Sequence, residues 1–286
     1  MRASARKSSI ALLSALLAGS LGALGARAVE TNNPDLVNRK VLRVCSTPEN
    51  LPYSNEKLEG FENRIAAIVA EELKLPVEYT WFPQAPGMIR KTLAAKRCDV
   101  ILQTVQADEF TLNTNAYYRT TYALVYKKGS GLDGLRSFFD DRLKDKRVGI
   151  QAGVPAADQV AKAGLMPKAK PYLLQVDTRF FNPMKDMVAD VRSGEIDVAV
   201  LWGPFAGYYA HQGGDDLTVA PILEEVPGTP KLDYRMTMGV RAGEVAWKHQ
   251  LNDIIKKRQG DIDKVLLDYG VPLLDEDRHL ITAARQ

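Results

Sequence analysis

Two stretches of the chain, "TLAAKRCDVILQ" and "DVRSGEIDVAVLW", follow one plan: a helix end, a tight polar turn, Asp-Val, then an apolar strand. Asp99 and Asp197 hold equivalent places in them. Each stretch closes a run of alternating strands and helices, and this alternation constrains the fold more than any other feature. A strand, a helix and a second strand cannot form a hairpin. The helix carries the chain back, so the strands come together parallel, with right-handed crossovers. Two such runs in similar order describe two related α/β lobes.

The first run reads "VLRVC", then a loop rich in Pro, Asn and Ser, then "FENRIAAIVAEELK", whose Ile65, Ile68, Val69 and Leu73 share a helical face. "VEYTWF" is a strand, "PGMIRKTLAAKR" a helix with Pro86 near its start, and "DVILQT" a third strand. The second run reads "RVGIQAG", the helix "VPAADQVAKAG" stopped at Gly164, the strand "KPYLLQV", the helix "NPMKDMVADVRSG" with an apolar stripe of Met184, Met187, Val188 and Val191, and the strand "IDVAVLW". Two further strands, "TTYALVYKKGS" (120–130) and "YRMTMGVRAG" (234–243), link the runs. Two helices and the turn "VPLLDED" follow. The expected division is lobe one at 39–125 plus 236–286, lobe two at 126–235, and two hinge strands between them, the plan of a clamp.

Residues 1–28 read as a secretory signal peptide: Arg2, Arg6 and Lys7, an Ala/Leu-rich run, then Ala26-Arg27-Ala28. No later run is long and apolar enough to span a bilayer, so no membrane span is expected after cleavage. The net charge of +3 belongs to the precursor. Removing Arg2, Arg6, Lys7 and Arg27 leaves 38 − 4 = 34 basic against 35 acidic residues. That balance gives no support for nucleic-acid or anionic-membrane binding.

At this point the chain resembles the two-lobed, type II periplasmic solute-binding proteins, through "GFENRIAAIVAEEL", "DVILQT", "YYRTTYALVYKKGS", "RVGIQAG" and "IDVAVLW". A narrower resemblance, carried by "LRVCSTPENLPYSNEKLEGFENRIA", "YTWFPQ", "TLAAKRCDV" and "VAVLWGPFAGYYA", is to the MoxJ/XoxJ-type proteins associated with quinoprotein dehydrogenases. That resemblance implies a periplasmic accessory of a methanol dehydrogenase that uses pyrroloquinoline quinone (PQQ); with no catalytic motif in the sequence, the expected role is non-enzymatic support of that enzyme's assembly or activation, and no cofactor or metal is expected. The alternative is the substrate-binding subunit of an ABC importer for a small solute that is not an amino acid.

Amino-acid binders of this class hold the ligand carboxylate with an Arg after the third strand and the ammonium with an Asp ending the last strand of lobe two. Here Ala107 or Asp108 falls at the Arg position, and alignment on Asp197 and Pro204 puts Trp202 in the Asp position. A neutral aromatic cannot replace either charge. Ligands of open parallel sheets sit beyond the strands' carboxyl ends. The candidate cleft is therefore Glu49, Asn50, Tyr53, Trp81, Gln84, Gln103, Gln151, Arg179 and Trp202. This aromatic, amide-rich set suits an unidentified neutral ligand or a protein surface. Arg179 is its main cation.

Cys45 and Cys98 lie in segments covered by the resemblance, and an exported chain can oxidise them. Against a bridge, regular neighbouring strands would separate them by roughly 13 Å, and a disulfide needs Cα atoms within about 7 Å. The pairing stays open on sequence. His211, His249 and His279 lack metal-ligand spacing, Asp261 and Asp263 are a fragment of a calcium pattern, and no nucleophile or phosphate-binding motif occurs.

Overall fold

The computed structural model describes residues 36–224 and 226–285; the expected signal segment lies outside them. In chain order, lobe one opens with β1 (Leu42–Ser46), the short β2 (Glu49–Asn50) and β3 (Ser54–Asn55), α1 (Phe61–Leu73), β4 (Val77–Trp81), α2 (Met88–Lys91) and β5 (Val100–Val105). The long strand β6 (Leu112–Lys127) leads to β7 (Val148–Gln151), α3 (Pro155–Lys162), β8 (Lys170–Tyr172), α4 (Pro183–Ser193), β9 (Val198–Trp202), α5 (Gly203–His211) and β10 (Leu217–Pro221). The chain returns through β11 (Asp233–Val240) to α6 (Val245–Lys257), α7 (Gln259–Asp268) and the pair β12 (Leu273–Leu274) and β13 (Leu280–Ile281).

The main sheet runs β4-β1-β5-β11-β6-β9-β7-β8. β1 lies parallel to β4 and β5, and β7 lies parallel to β8 and β9, as helix crossovers require. β6 is antiparallel to its neighbours and joins the two halves. Its first part, Leu112 to Thr121, pairs with β11, and Tyr122 to Tyr126 pair with β9. Alternation along β6 serves both faces of lobe two: Leu124 and Tyr126 enter one apolar cluster with Val148, Ile150 and Val200, and Ala123 and Val125 enter another with Met187, Val188 and Val191. α1, α6 and α7 close a third cluster over β1 and β5, around Phe61, Ile65, Trp247 and Leu266.

The repeated Asp-Val turn has a structural use. Asp99 receives Arg43 Nε and Nη2 at 2.8 and 2.6 Å, from the neighbouring strand β1. Asp197 receives Arg147 from the start of β7, including its backbone N–H at 2.8 Å. In both lobes a carboxylate just before a strand ties it to the arginine beside the adjacent parallel strand.

Several elements differ from the sequence reading. The helix expected through Arg97 ends after Lys91, where the chain enters turns around Thr92. β8 stops at Tyr172, and Leu173 and Leu174 point to solvent at 71% and 46% exposure, so apolar composition alone misled. Gly203-Pro204 opens α5, because proline fits a first helical turn, where its missing N–H costs nothing. "VPLLDED", read as a turn, contains β12. Cys45 and Cys98 form a disulfide with Cα atoms 5.4 Å apart. Asp99, just before β5, still keeps the ladder to β1, its N–H donating to Arg43 O at 2.8 Å. The residue before it still lies in the turns between α2 and β5, bringing Cys98 close to Cys45 in a cluster with Leu93 and Ile101.

Candidate functional site

The loop after β1 is shaped by hydrogen bonds to its own backbone. Ser54 Oγ donates to Thr47 O at 2.8 Å, and the N–H groups of Phe61 and Glu62 donate to Pro52 O and Tyr53 O at 2.8 and 2.9 Å. The loop carbonyls thus satisfy orphan donors at the start of α1 and fix Tyr53. Its ring is 1% exposed and packs on Phe61 and Phe205, with centroids 4.8 and 5.3 Å away.

From lobe two, Trp202 ends β9 and packs edge-on against Tyr122 of β6 and Tyr234 of β11. Its Nε1 donates to the Tyr53 hydroxyl at 2.6 Å. The helix that follows Trp202 continues the junction. Tyr209 donates its hydroxyl proton to Leu51 O at 2.9 Å, and Asn182 Nδ2 donates to the same hydroxyl at 2.6 Å. α5 comes so near that a Cβ on Gly207 would lie 1.8 Å from Gly270 O, and one on Gly203 would lie 2.4 Å from Thr121 O. Tyr208 stacks on Tyr269, which packs edge-on against Phe61.

The junction is electrically neutral in its side chains. Burial, then the neighbouring Glu62 charge, pushes the Tyr53 phenol far above its ordinary value, and burial pushes Tyr209 up to about 12. Phenol and indole are therefore both uncharged at neutral pH, and they form a hydrogen-bonded aromatic contact. Arg119, the arginine nearest the missing anchor, is engaged: Nη2 meets both Asp233 oxygens at 3.0 Å.

The other expected residues have local partners of their own or stand exposed. Asn50 is buried and pairs with Ser54 across β2 and β3, with Glu49 exposed beside it. Trp81 is half-buried and stacks on Tyr79, with centroids 4.7 Å apart. Gln84 is exposed and Gln103 half-buried. Gln151 Nε2 donates to Leu173 O at 3.0 Å. Arg179 closes a local two-pronged pair on Asp177 at 2.9 and 2.6 Å, which satisfies the cation in place. Sequence reasoning missed Phe205, Tyr209, Asn182 and Glu62. The first two follow from the spacing of "GPFAGYY": once it is helical, Gly203 and Gly207 share a face, as do Phe205 and Tyr209. Asp275, Asp277 and His279 also bring one potential ligand atom each within 4.8 Å of one another. The hairpin turn gathers them, with His279 N–H donating to Asp275 Oδ1 at 2.8 Å.

Residues 42–270 match the bacterial extracellular solute-binding proteins, family 3. The chain belongs to this family. Among its relatives, Protein MoxJ of Methylorubrum extorquens is 28% identical over 262 residues, 87% of this chain and 85% of the relative. The crystal structure of periplasmic binding protein XoxJ from Methylobacterium extorquens AM1 is 41% identical, covers 82% of this chain and 100% of its own, and superposes with a TM-score of 0.69. MxaJ from Methlophaga aminisulfidivorans MPT is 25% identical over 82% of this chain and 100% of its own, with a TM-score of 0.71. An ancestral cationic amino acid solute binding protein, 24% identical with a TM-score of 0.63, shares the fold. The chain thus has the two-lobed α/β architecture of family 3, with a neutral aromatic contact between its lobes. No helix among the described residues is long and apolar enough to cross a membrane.

Proposed function

We propose that the protein is a non-enzymatic periplasmic accessory of a PQQ-dependent methanol dehydrogenase, supporting assembly or activation of that enzyme. The similarity to MoxJ, XoxJ and MxaJ supports this partner. The observation that carries the reading is the Trp202–Tyr53 hydrogen bond. A solute-delivering clamp needs a cleft that a ligand can enter and that closes around it. Here an indole and a phenol from opposite lobes already meet. The fold is then retained as a shaped, two-lobed body for contact with another protein, since one fold serves many roles.

Export follows from the signal peptide reading of residues 1–28 and from the extracellular family. The two lobes, at 39–125 plus 236–286 and at 126–235, are joined through β6 and β11. Co-purification tests the proposal. Tagged mature protein is expected to retain the dehydrogenase from a periplasmic extract, in its apo or holo form. Failure to retain either form overturns it. Specific thermal stabilisation by a small solute would favour the importer reading instead.

A further inference from the structure

Beside Tyr53 lies a carboxyl group that the proposed function does not use. Glu62, in the first turn of α1, is 5% exposed, and its Oε1 has no hydrogen-bond partner among the described residues. Its own backbone N–H holds Tyr53 O at 2.9 Å, so the carboxyl and the tyrosine that meets Trp202 are fixed to one another. Asn50 Nδ2 and Asn63 Nδ2, from the same loop and helix start, are also buried without partners among the described residues. Unsatisfied buried polar atoms grouped in one region call for a physical explanation.

We propose that Glu62 is a proton-dependent support of the lobe junction: while neutral it lets the aromatic cluster close and keeps Tyr53 against Trp202, and once ionised it draws water inward and loosens that contact. Burial alone raises the Glu62 carboxyl to about 8. Among the described residues, no cation offsets that burial. The titratable groups facing it are Tyr53, Tyr79 of β4, and Tyr117 and Tyr118 of β6. Burial raises all four phenols, so they stay neutral while Glu62 titrates. β3 and β5 contribute no ionisable side chain to α1. On the helices at its other side, Arg258 of the α6–α7 junction holds Glu71 and Glu72, Asp263 of α7 holds Arg285, and Asp268 of α7 faces Arg64 of α1 at 3.8 Å.

The sign follows from linkage. The folded carboxyl holds its proton more tightly than a free one, whose ordinary value is 4.5. Its contribution to the closed junction is therefore complete below that value and is lost as pH rises through about 8. The inference goes beyond the proposed function and holds whether or not the dehydrogenase is the partner.

Hydrogen exchange of the whole mature protein at pH 6 and pH 9.5, corrected for the intrinsic pH dependence of exchange, tests it. In the wild type, residues 51–53 and 203–209 are expected to lose at least about tenfold protection at the higher pH. Glu62→Gln is expected to show a change below about twofold. Equal behaviour of the two proteins, or an equal loss across β7 and α4, overturns the inference. Should Glu62→Gln fail to fold, infrared difference spectra of the wild type decide. A protonated-carboxyl band that disappears with a midpoint near pH 8 supports the inference, and absence of such a band overturns it.

Discussion

Replacing Trp202 by Phe keeps an aromatic ring on Tyr122 and Tyr234 but removes the nitrogen that donates to Tyr53. The lost hydrogen bond is worth about 1 kcal/mol net, and the under-satisfied Tyr53 hydroxyl, buried at 1% exposure, brings the cost to about 2 kcal/mol. Tyr53→Phe removes the other partner and costs about 1–2 kcal/mol for the same reason. In the double variant neither member of the pair leaves its partner stranded, so its cost should fall about 1 kcal/mol short of the sum. Urea unfolding of the four proteins measures this coupling, and melting should track it at about 2–4 °C per kcal/mol for a chain of this size. Additivity within about 0.3–0.5 kcal/mol would show that the two residues do not act together across the junction, and would refute the reasoning.

Further expectations concern the parts around this contact. Gly207→Ala forces a methyl group into Gly270 O and should destabilise the protein by at least about 1–3 kcal/mol, read from the urea midpoint. Asp233→Asn breaks a buried pair with Arg119 on the hinge strands, with a cost of about 3 kcal/mol in the same assay. Reducing the Cys45–Cys98 bridge, which spans 53 residues, should lower stability by about 4 kcal/mol, measured by unfolding with and without reductant. Trp202→Asp should create no amino-acid site, because Arg119 remains held by Asp233; titration calorimetry that detects tight binding of a free amino acid would contradict this.

Element order was legible because apolar spacing is set by the same faces that later pack. Met184, Met187, Val188 and Val191 recur at helical spacing, and all four are buried. The Asp99 and Asp197 echo was visible as a pattern, whereas its cause, an arginine beside the neighbouring strand in each lobe, needed the register. Trp202 and Tyr53 were both placed at strand carboxyl ends, but their contact depends on a crossing 149 residues long, which no local pattern encodes. Arg179 looked like a free cation because its partner, Asp177, lies two residues away in a turn whose shape sequence leaves open. Glu62 was unreadable for a different reason. A glutamate at the start of a helix is expected to face solvent, and its burial beside Tyr53, Tyr79, Tyr117 and Tyr118 arises only from the tertiary fold.

The most direct test of the proposed role is methanol dehydrogenase activity in periplasm from a strain lacking this protein. The account predicts a loss of activity that returns when the intact gene is supplied, with no requirement for any added solute. Normal activity in the deletion strain would contradict it.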